Sequence, residues 1–309
     1  MINTKPHGVM FHHFYSQVHP KGQGAISAKE LVSIINFIGR SNILAAVDFM
    51  QLALKNQLRP EQTCLTFDDN LRCQYDVAWP VLQKLKLSAF WFIYTSPFEN
   101  VNEKLEIYRY YRTVRFKNVE AFYDRFFKIC NAGQFNKLMA QGLAKYPADY
   151  LKNFSFYSDS DRRFRYLRDQ VLKDKYFMVM DQIIDDDPDF NLKQVRKLLW
   201  MDETCIHNLV ESGQIIGLHS HTHPTTMANL SQAQQQKEYL TNFKIVKRLT
   251  GQAPLTASYP CDAVNVDTLP ILKKLGVKLA FRATMASTSS DPLLLPRIDH
   301  AVLYKEMSL

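Results

Sequence analysis

Short runs of apolar, β-branched and aromatic residues recur along the chain, and most of them end in polar residues. Runs of this length and composition are typical of buried strands. Seven occur, at residues 7–13, 64–69, 88–94, 215–221, 255–260, 277–284 and 293–299. Segments with helical spacing lie between them. This alternation of strand and helix predicts a parallel sheet.

The clearest helical segment lies between residues 230 and 254. Leu240, Phe243 and Val246 share one face, Gly251 stands at the expected C-terminal cap, and Pro254 follows it. A glycine cap followed by a proline is a common helix ending, because neither residue favours continuation of the helix. We therefore predict a long helix that ends at Gly251.

The alternating pattern stops between residues 97 and 200. This gap of roughly 100 residues is far longer than the usual connection between two strands. We predict an α/β fold, a distorted (β/α)7-type barrel built from residues 1–96 and 201–309. Residues 97–200 are predicted to form a mostly helical insertion or lid.

Polar residues that could take part in catalysis or metal binding stand at the ends of the predicted strands. In parallel α/β folds such residues gather where the carboxyl ends of the strands meet. The histidines and aspartates at these ends are His12, His13, Asp68, Asp69, His219, His223 and Asp299. They are therefore expected to converge in space.

Two of these groups invite closer interpretation. Adjacent acids such as Asp68 and Asp69 are common in turns, where one side chain caps a following helix. His219 and His223 are four residues apart, and on one helical turn that spacing places two imidazoles on the same side. Two histidines with one carboxylate from elsewhere are typical of a catalytic zinc site with an open position. Incidental histidines in a surface loop are the alternative.

The sequence motifs that contain these two groups resemble the signatures of the polysaccharide deacetylase family, the NodB-homology enzymes of carbohydrate esterase family four. The first is Thr66-Phe67-Asp68-Asp69, and the second runs from His219 to Pro224 as H-S-H-T-H-P. The segment that begins at Leu249 and ends at Thr284 also resembles the family's Tyr-Pro loop, its following helix and its next strand. The resemblance covers residues 5–95 and 203–300.

The resemblance implies that Asp69, His219 and His223 hold a divalent metal, with zinc the expected ion, and that Asp68 is the general base. A divalent ion with one carboxylate and two neutral imidazoles keeps a net positive charge, so it can acidify a water and polarise a carbonyl. Adjacent side chains on a strand point to opposite faces. Both acids can therefore serve one site only if the strand ends and the backbone turns at this pair.

The loop that follows the fifth strand departs from the family pattern. It reads Pro260-Cys261-Asp262, so only the backbone N–H of Cys261 can take the role of oxyanion donor. Tyr259 and Pro260 are candidate substrate contacts by the same resemblance. A nucleophilic role for Cys261 is disfavoured, because no basic partner stands near it in the sequence.

The C-terminal Leu-x-Leu-His string that carries the general acid in the family is absent from this sequence. Circularly permuted members place the acid in an N-terminal strand that ends in Tyr-His, which Phe11-His12 resembles. His12 is therefore the candidate acid, with His300 in reserve. Arg297 is expected either to orient Asp68 or to pair with Asp299.

The charge of the chain is +8 at pH 7, with a pI near 9.1. Basic and aromatic residues interleave within the predicted insertion. The simpler interpretation is that its aromatic residues form a core and its basic residues a solvated face. The functional interpretation is a lid in which residues such as Arg162 and Arg165 bind an anionic sugar. A nucleic-acid partner is not expected, because no recognised nucleic-acid motif accompanies the charge.

These features together predict a hydrolase that removes N-acetyl groups from an amino sugar or glycan precursor in surface-polysaccharide or lipopolysaccharide biosynthesis. The absence of a signal-like or transmembrane segment predicts a cytoplasmic protein, with peripheral membrane contact still open. A nucleotide- or lipid-linked sugar fits that location. The alternatives are hydrolysis of another non-peptide C–N bond, and a non-catalytic sugar-binding protein on the same scaffold.

Overall fold

The computed structural model describes residues 4–152, 157–287 and 289–307. The chain divides into two compact units. The barrel unit comprises residues up to 103 together with those from 196 onward, and the helical unit comprises residues 104–195.

The described residues contain seven strands, all parallel, in the order β6-β5-β4-β3-β2-β1-β7. The strands are β1 (His7–Phe11), β2 (Thr63–Asp68), β3 (Phe90–Ile93), β4 (Ile215–Leu218), β5 (Thr256–Ser258), β6 (Leu279–Phe281) and β7 (Arg297–Asp299). Leu295, just before β7, bridges to Phe281 of β6. This bridge between the two edges makes the sheet a nearly closed, distorted (β/α)7 barrel, and the predicted fold class is confirmed.

Thirteen α-helices occur within the described residues. They are α1 (Ala28–Ile38), α2 (Ala46–Leu54), α3 (Trp79–Leu85), α4 (Lys104–Arg115), α5 (Val119–Ala132), α6 (Asn136–Leu143), α7 (Asp159–Tyr166), α8 (Lys175–Asp185), α9 (Leu192–Leu199), α10 (Glu203–Glu211), α11 (Gln232–Thr250), α12 (Thr268–Lys274) and α13 (His300–Met307). None of them is both long and apolar enough to cross a membrane.

Alternation along each strand separates two apolar clusters. Val9, Phe67 and Trp91 belong to the large cluster that includes residues of the surrounding helices. The neighbouring Phe90 and Phe92 belong to a smaller cluster with Phe281 and with Ala46 and Phe49 of α2. Because successive side chains on a strand point to opposite faces, we assign the smaller cluster to the barrel interior. Helix α2 therefore packs into the barrel with its apolar face.

Helix α11 ends at Gly251, as predicted, with φ +71 at the cap. Its buried face differs from the predicted one: Tyr239, Asn242 and Val246 are buried, whereas Leu240 and Phe243 are only partly buried. The reason is polar, because the amide of Asn242 bonds to groups at the ends of the neighbouring strands. Apolar spacing alone could not reveal that contact.

The helical unit is held by aromatic side chains. Phe122 and Phe126 of α5, Phe164 of α7 and Tyr176 of α8 are all buried, and their rings lie 5.0–6.1 Å apart where they contact one another. These aromatic residues are therefore the core of the unit, as the simpler interpretation of the sequence expects.

Candidate active site

The site is built on a backbone break at the end of β2. The strand ends at Asp68, and Asp69 has φ +82, in the left-handed region that a non-glycine residue rarely adopts. The N–H of Asp69 donates to the carbonyl of Phe92, which fixes the turn. The predicted break at this pair is confirmed, and such strained backbone is typical of functional sites.

Asp69 lies against two histidines. Its Oδ1 is 3.3 Å from Nε2 of His219 and 3.3 Å from Nε2 of His223. Ligand atoms of these three residues all lie within 4.8 Å of one another. Among the described residues, the buried Asp69 Oδ1 has no hydrogen-bond partner of good geometry. A buried carboxylate oxygen without a donor, facing two imidazole nitrogens, fits a divalent cation.

The two histidines do not lie on a helical turn, so the geometric reason given for their spacing is wrong. Strand β4 ends at Leu218, and the loop that follows has left-handed backbone at Ser220 (φ +63) and at His223 (φ +54). The N–H of His223 donates to the Ser220 hydroxyl across this loop. The tight turn, rather than helical periodicity, brings the two rings within 5.0 Å of each other.

The intervening His221 is not part of this group. Its Nδ1 lies 3.1 Å from the hydroxyl of Thr95, and its Nε2 lies 3.4 Å from Glu99. Its carbonyl accepts hydrogen bonds from the N–H groups of Thr95 and Ser96. His221 therefore anchors the loop to the segment after β3.

His219 is oriented by two residues outside the predicted site. Its Nδ1 lies 2.7 Å from the hydroxyl and 3.1 Å from the carbonyl of Ser258, and its backbone N–H donates to Asn242. A proton on Nδ1, held by Ser258, leaves the Nε2 lone pair directed at Asp69. This is the arrangement in which a second residue fixes the tautomer of a metal-binding histidine.

Asp68 is buried and paired with Arg297. The two guanidinium nitrogens Nη1 and Nη2 donate to Oδ1 and Oδ2 at 2.7 and 2.8 Å. Of the two roles considered for Arg297, the structure therefore has the one with Asp68; Asp299 contacts His300 and the N–H of Ala301 instead. Gly8 makes room for this arginine, since a Cβ there would lie 3.0 Å from Arg297 Cγ.

Charge controls the pKa values of these groups. Burial alone would raise the pKa of Asp68, but Arg297 and His219 outweigh it and hold the pKa below its ordinary value. For Asp69 burial is likewise outweighed, chiefly by His223 and His219, and its pKa is also lowered. Burial lowers the pKa of His223 to about 4, so this imidazole is neutral at pH 7. Two ionised carboxylates and a neutral imidazole suit metal binding.

The two candidate acids occupy different surroundings. His12 follows the end of β1, keeps about a quarter of its side chain exposed (28%), and places Nε2 4.0 Å from Asp69 Oδ2. His300 is buried, and its Nδ1 and Nε2 face the carbonyls of Met10 and Gly24 at 3.3 and 3.1 Å. Burial lowers the pKa of His300. His300 is therefore held within the fold, whereas His12 borders the metal-binding group.

His13 directly follows His12, and the two side chains would point to opposite faces if β1 continued through both residues. Strand β1 ends at Phe11, however, and the two rings are nearly parallel with centroids 6.4 Å apart. Alternation of side chains applies only inside a strand, so it does not separate these two rings.

The loop after β5 has left-handed backbone at both Cys261 (φ +50) and Asp262 (φ +59). Asp262 is fixed by Nε and Nη2 of Arg282, both at 2.7 Å. Cys261 is exposed, whereas Tyr259 and Pro260 are buried. The Tyr259 hydroxyl donates to the carbonyl of Leu293 at 2.6 Å. The side chain of Tyr259 therefore belongs to the core, and the substrate-contact role expected for it is not what this geometry favours.

The two arginines proposed from the insertion differ. Arg162 forms an ion pair with Asp159 on the same helix, α7. Arg165 lies over the ring of Tyr157, with its guanidinium carbon 4.1 Å from the ring centroid. Both belong to the helical unit. The pairing of Arg162 leaves Arg165 as the better candidate for contact with an anion.

Sequence reasoning did not single out Ser258, Asn242 or Asn70. Ser258 and Asn242 orient His219, and Asn70 is buried with left-handed backbone (φ +56) directly after Asp69. Both polar atoms of the Asn70 side chain lack a hydrogen-bond partner among the described residues. The available signal was the same for Ser258 and Asn70: a small polar residue at the carboxyl end of a predicted strand, beside a recognised motif.

Comparison with known proteins supports the resemblance seen in the sequence. Residues 160–280 match the family model described as polysaccharide deacetylase. The matched range contains His219 and His223 and does not extend to Asp68 and Asp69. No curated protein matches the chain.

Several solved structures share the fold. The Streptococcus pyogenes deacetylase PplD, in complex with acetate, has a TM-score of 0.55 at 15% identity, covering 96% of this chain and 92% of that one. IcaB from Ammonifex degensii has a TM-score of 0.55 at 14% identity, covering 96% and 91%. The BpsB deacetylase domain from Bordetella bronchiseptica has a TM-score of 0.51 at 12% identity, covering 96% and 97%. At this identity the likeness concerns the fold alone.

Proposed function

We propose that this protein, which resembles polysaccharide deacetylases, is a metal-dependent hydrolase that removes an N-acetyl group from an amino sugar or glycan precursor. The observation that carries the proposal is the group formed by Asp69, His219 and His223 beside the buried Asp68–Arg297 pair. A carboxylate that can accept a proton stands next to a cation-binding set, which is what hydrolysis of an amide requires.

Asp69, His219 and His223 would hold the divalent ion, and zinc suits a set of two imidazoles and one carboxylate. When bound, such an ion supplies Lewis-acid polarisation of the acetyl carbonyl and increases the acidity of a water. Ser258 keeps His219 in the tautomer that leaves Nε2 free to bind.

Asp68 is proposed as the general base. The pairing with Arg297 keeps its carboxylate ionised and holds its plane fixed, so that it is ready to accept a proton at neutral pH. Arg297 contacts the base rather than the substrate in this proposal, and it is a positioning residue. The backbone N–H of Cys261 remains the candidate oxyanion donor.

His12 is proposed as the general acid, in the position that circularly permuted relatives would give it. Its partial exposure and its place beside Asp69 let a substrate nitrogen approach Nε2. An amide nitrogen is a poor leaving group until it is protonated, so an acid on this side of the site has a clear task. A cytoplasmic, anionic glycosyl precursor is the substrate we expect.

The proposal is tested by measuring metal content and acetate release on the same set of variants. Asp69→Ala, His219→Ala and His223→Ala should each lose bound metal after dialysis. Asp68→Asn should keep stoichiometric metal and lose turnover by about 10³-fold, because the base does not hold the ion. His207→Ala, at an exposed histidine of α10, is the matched control and should behave as wild type.

Three results would contradict the proposal. Stoichiometric metal in His223→Ala would remove this histidine from the ligand set. Loss of metal in Asp68→Asn would place Asp68 among the ligands rather than in the role of base. If wild type with bound metal releases another product but no acetate from N-acetylated sugars, the activity is hydrolysis of a different C–N bond.

A further inference from the structure

Most arginines of the helical unit have a carboxylate partner. The pairs are Arg109–Glu106, Arg115–Asp187, Arg125–Asp186, Arg162–Asp159 and Arg168–Asp169. Exposed pairs of this kind add little to stability, but they show where the unit neutralises its positive charge. Three arginines of the unit are left out of this pairing, namely Arg112, Arg163 and Arg165, and of these Arg163 is exposed.

Arg112 of α4 and Arg165 of α7 are both partly buried and lack such a partner. Among the described residues, no carboxylate oxygen lies within 4.0 Å of either guanidinium. Nε of Arg165 is buried and has no hydrogen-bond partner within the same residues. A buried N–H donor without an acceptor costs free energy and calls for an explanation.

Aromatic rings support both guanidinium groups from one side. Arg165 lies over Tyr157 at 4.1 Å, and Arg112 lies over Phe122 at 5.9 Å. A ring face attracts the cation but accepts no strong hydrogen bond from the guanidinium edge. The in-plane N–H donors, which match the oxygens of a carboxylate or a phosphate, are thus left for another group.

The two arginines also lie near each other. Phe122, beneath Arg112, contacts Phe164, the residue just before Arg165, with centroids 5.4 Å apart. Burial lowers the pKa of Arg112, and the positive charges of Arg109 and Arg165 lower it further. Arg109 is neutralised by Glu106, so Arg112 and Arg165 are the two positive charges at this place without a carboxylate oxygen within 4.0 Å among the described residues.

We propose that Arg112 and Arg165 form a binding site for a phosphate-bearing anion within the helical unit. An arginine fork binds phosphate oxygens through paired hydrogen bonds, and two such forks match the double negative charge of a phosphate monoester or a diphosphate. In this site Arg112, rather than Arg162, is the partner of Arg165. The site is independent of the deacetylase reaction, because it is defined and tested by anion binding alone.

The first experiment measures binding of inorganic pyrophosphate to the full chain by titration calorimetry. Arg112→Met and Arg165→Met should each weaken binding by about tenfold or more, since each removes a charge-assisted contact. Arg125→Met is the matched control, because Arg125 has an acidic neighbour and is itself exposed; its affinity should equal that of wild type. Equal weakening in all three variants would reduce the effect to general charge and overturn the proposal.

The second experiment separates a binding role from a structural one. Without an anion, the two unpaired charges should repel each other, so Arg112→Met should melt at a higher temperature than wild type. Pyrophosphate should raise the melting temperature of wild type by more than that of the variant. A variant that melts lower than wild type and keeps full pyrophosphate affinity would make Arg112 a structural residue, and failure of wild type to bind pyrophosphate would overturn the site directly.

Discussion

The barrel and the helical unit both shield arginine side chains from water, but they treat the charge differently. In the barrel, the buried Arg297 donates to both oxygens of Asp68, to the hydroxyl of Thr66 and to the carbonyl of Arg282. In the helical unit, Arg112 and Arg165 rest on aromatic rings, and no carboxylate oxygen lies within 4.0 Å of either guanidinium among the described residues.

This difference gives a physical criterion for what a shielded charge does. A guanidinium whose three nitrogens all donate hydrogen bonds within its own chain holds a neighbouring side chain in place, as Arg297 holds Asp68. A guanidinium with unsatisfied donors costs free energy until an anion binds. Loss of a guanidinium of the first kind should therefore destabilise the fold, whereas one of the second kind should stabilise only the complex.

The largest expected effect is at Arg297. Arg297→Met leaves the buried carboxylate of Asp68 without its partner, and we expect a loss of about 3–5 kcal/mol in the free energy of unfolding. Urea denaturation with metal removed by a chelator from every sample measures this change without a contribution from metal binding. Arg112→Met, under the same conditions, should change the stability in the opposite direction.

A double variant checks that the loss comes from the unpaired acid. Asp68→Leu together with Arg297→Met removes both charges, and most of the lost stability should return, because a buried ion pair replaced by apolar residues is often neutral. If Arg297→Met and wild type unfold at the same urea concentration, Arg297 is not needed to compensate the buried charge of Asp68.

The pair of Arg297 and Asp68 also shows how much of the site the sequence alone predicts. The position of Arg297 in a buried strand predicts that it needs a partner, but Asp68 and Asp299 are equally plausible from sequence. The choice depends on which side chains face the barrel interior, and on Gly8, where the absence of a Cβ leaves space for the arginine stem. Strand register is a tertiary property, so alternation along one strand does not reveal it.

Other parts of the fold could be predicted from the sequence for simple physical reasons. All seven strands occur where short apolar runs predict them, because a strand buried between helices needs such a run. The turn at Asp68 and Asp69 follows from the alternation of side chains on a strand. The loop that joins His219 to His223 was misjudged as a helical turn, because left-handed backbone at Ser220 and His223 has no signature in residues other than glycine.

The second-largest expected effect is at His12. The side chain of His12 is partly exposed beside Asp69, whereas both ring nitrogens of His300 face backbone carbonyls. His12→Ala should keep bound metal while kcat for an N-acetylated sugar falls on the order of 10²-fold. The leaving group of an aryl acetate ester is a stable phenolate, which needs no proton. Hydrolysis of such an ester should therefore fall much less. The ratio of the two rates measures the acid role specifically.

His300→Gln serves as the control for this prediction. His300 contacts the carbonyls of Met10 and Gly24, so its loss should lower stability without changing the ratio of amide to ester hydrolysis. The opposite pattern, with a normal ratio in His12→Ala and a depressed ratio in His300→Gln, would transfer the acid role to His300.

The smallest expected effect is at Ser258, which is the hydrogen-bond partner of a proposed metal ligand, His219. Its hydroxyl lies 2.7 Å from Nδ1 of His219 and 3.3 Å from Oδ1 of Asp68, so one small side chain contacts both a proposed ligand and the proposed base. Ser258→Ala removes the hydroxyl but keeps the backbone carbonyl, which lies 3.1 Å from the same Nδ1 and can still accept its proton. The tautomer is therefore preserved while the ring is held less firmly, and metal affinity should weaken by about tenfold, at the low end of the range for such supporting residues. Competition with a chromophoric chelator measures the affinity, and Ser212→Ala, at an exposed serine after α10, should leave it unchanged. An unchanged affinity in Ser258→Ala would mean that the carbonyl alone orients His219, and that the hydroxyl serves Asp68 instead.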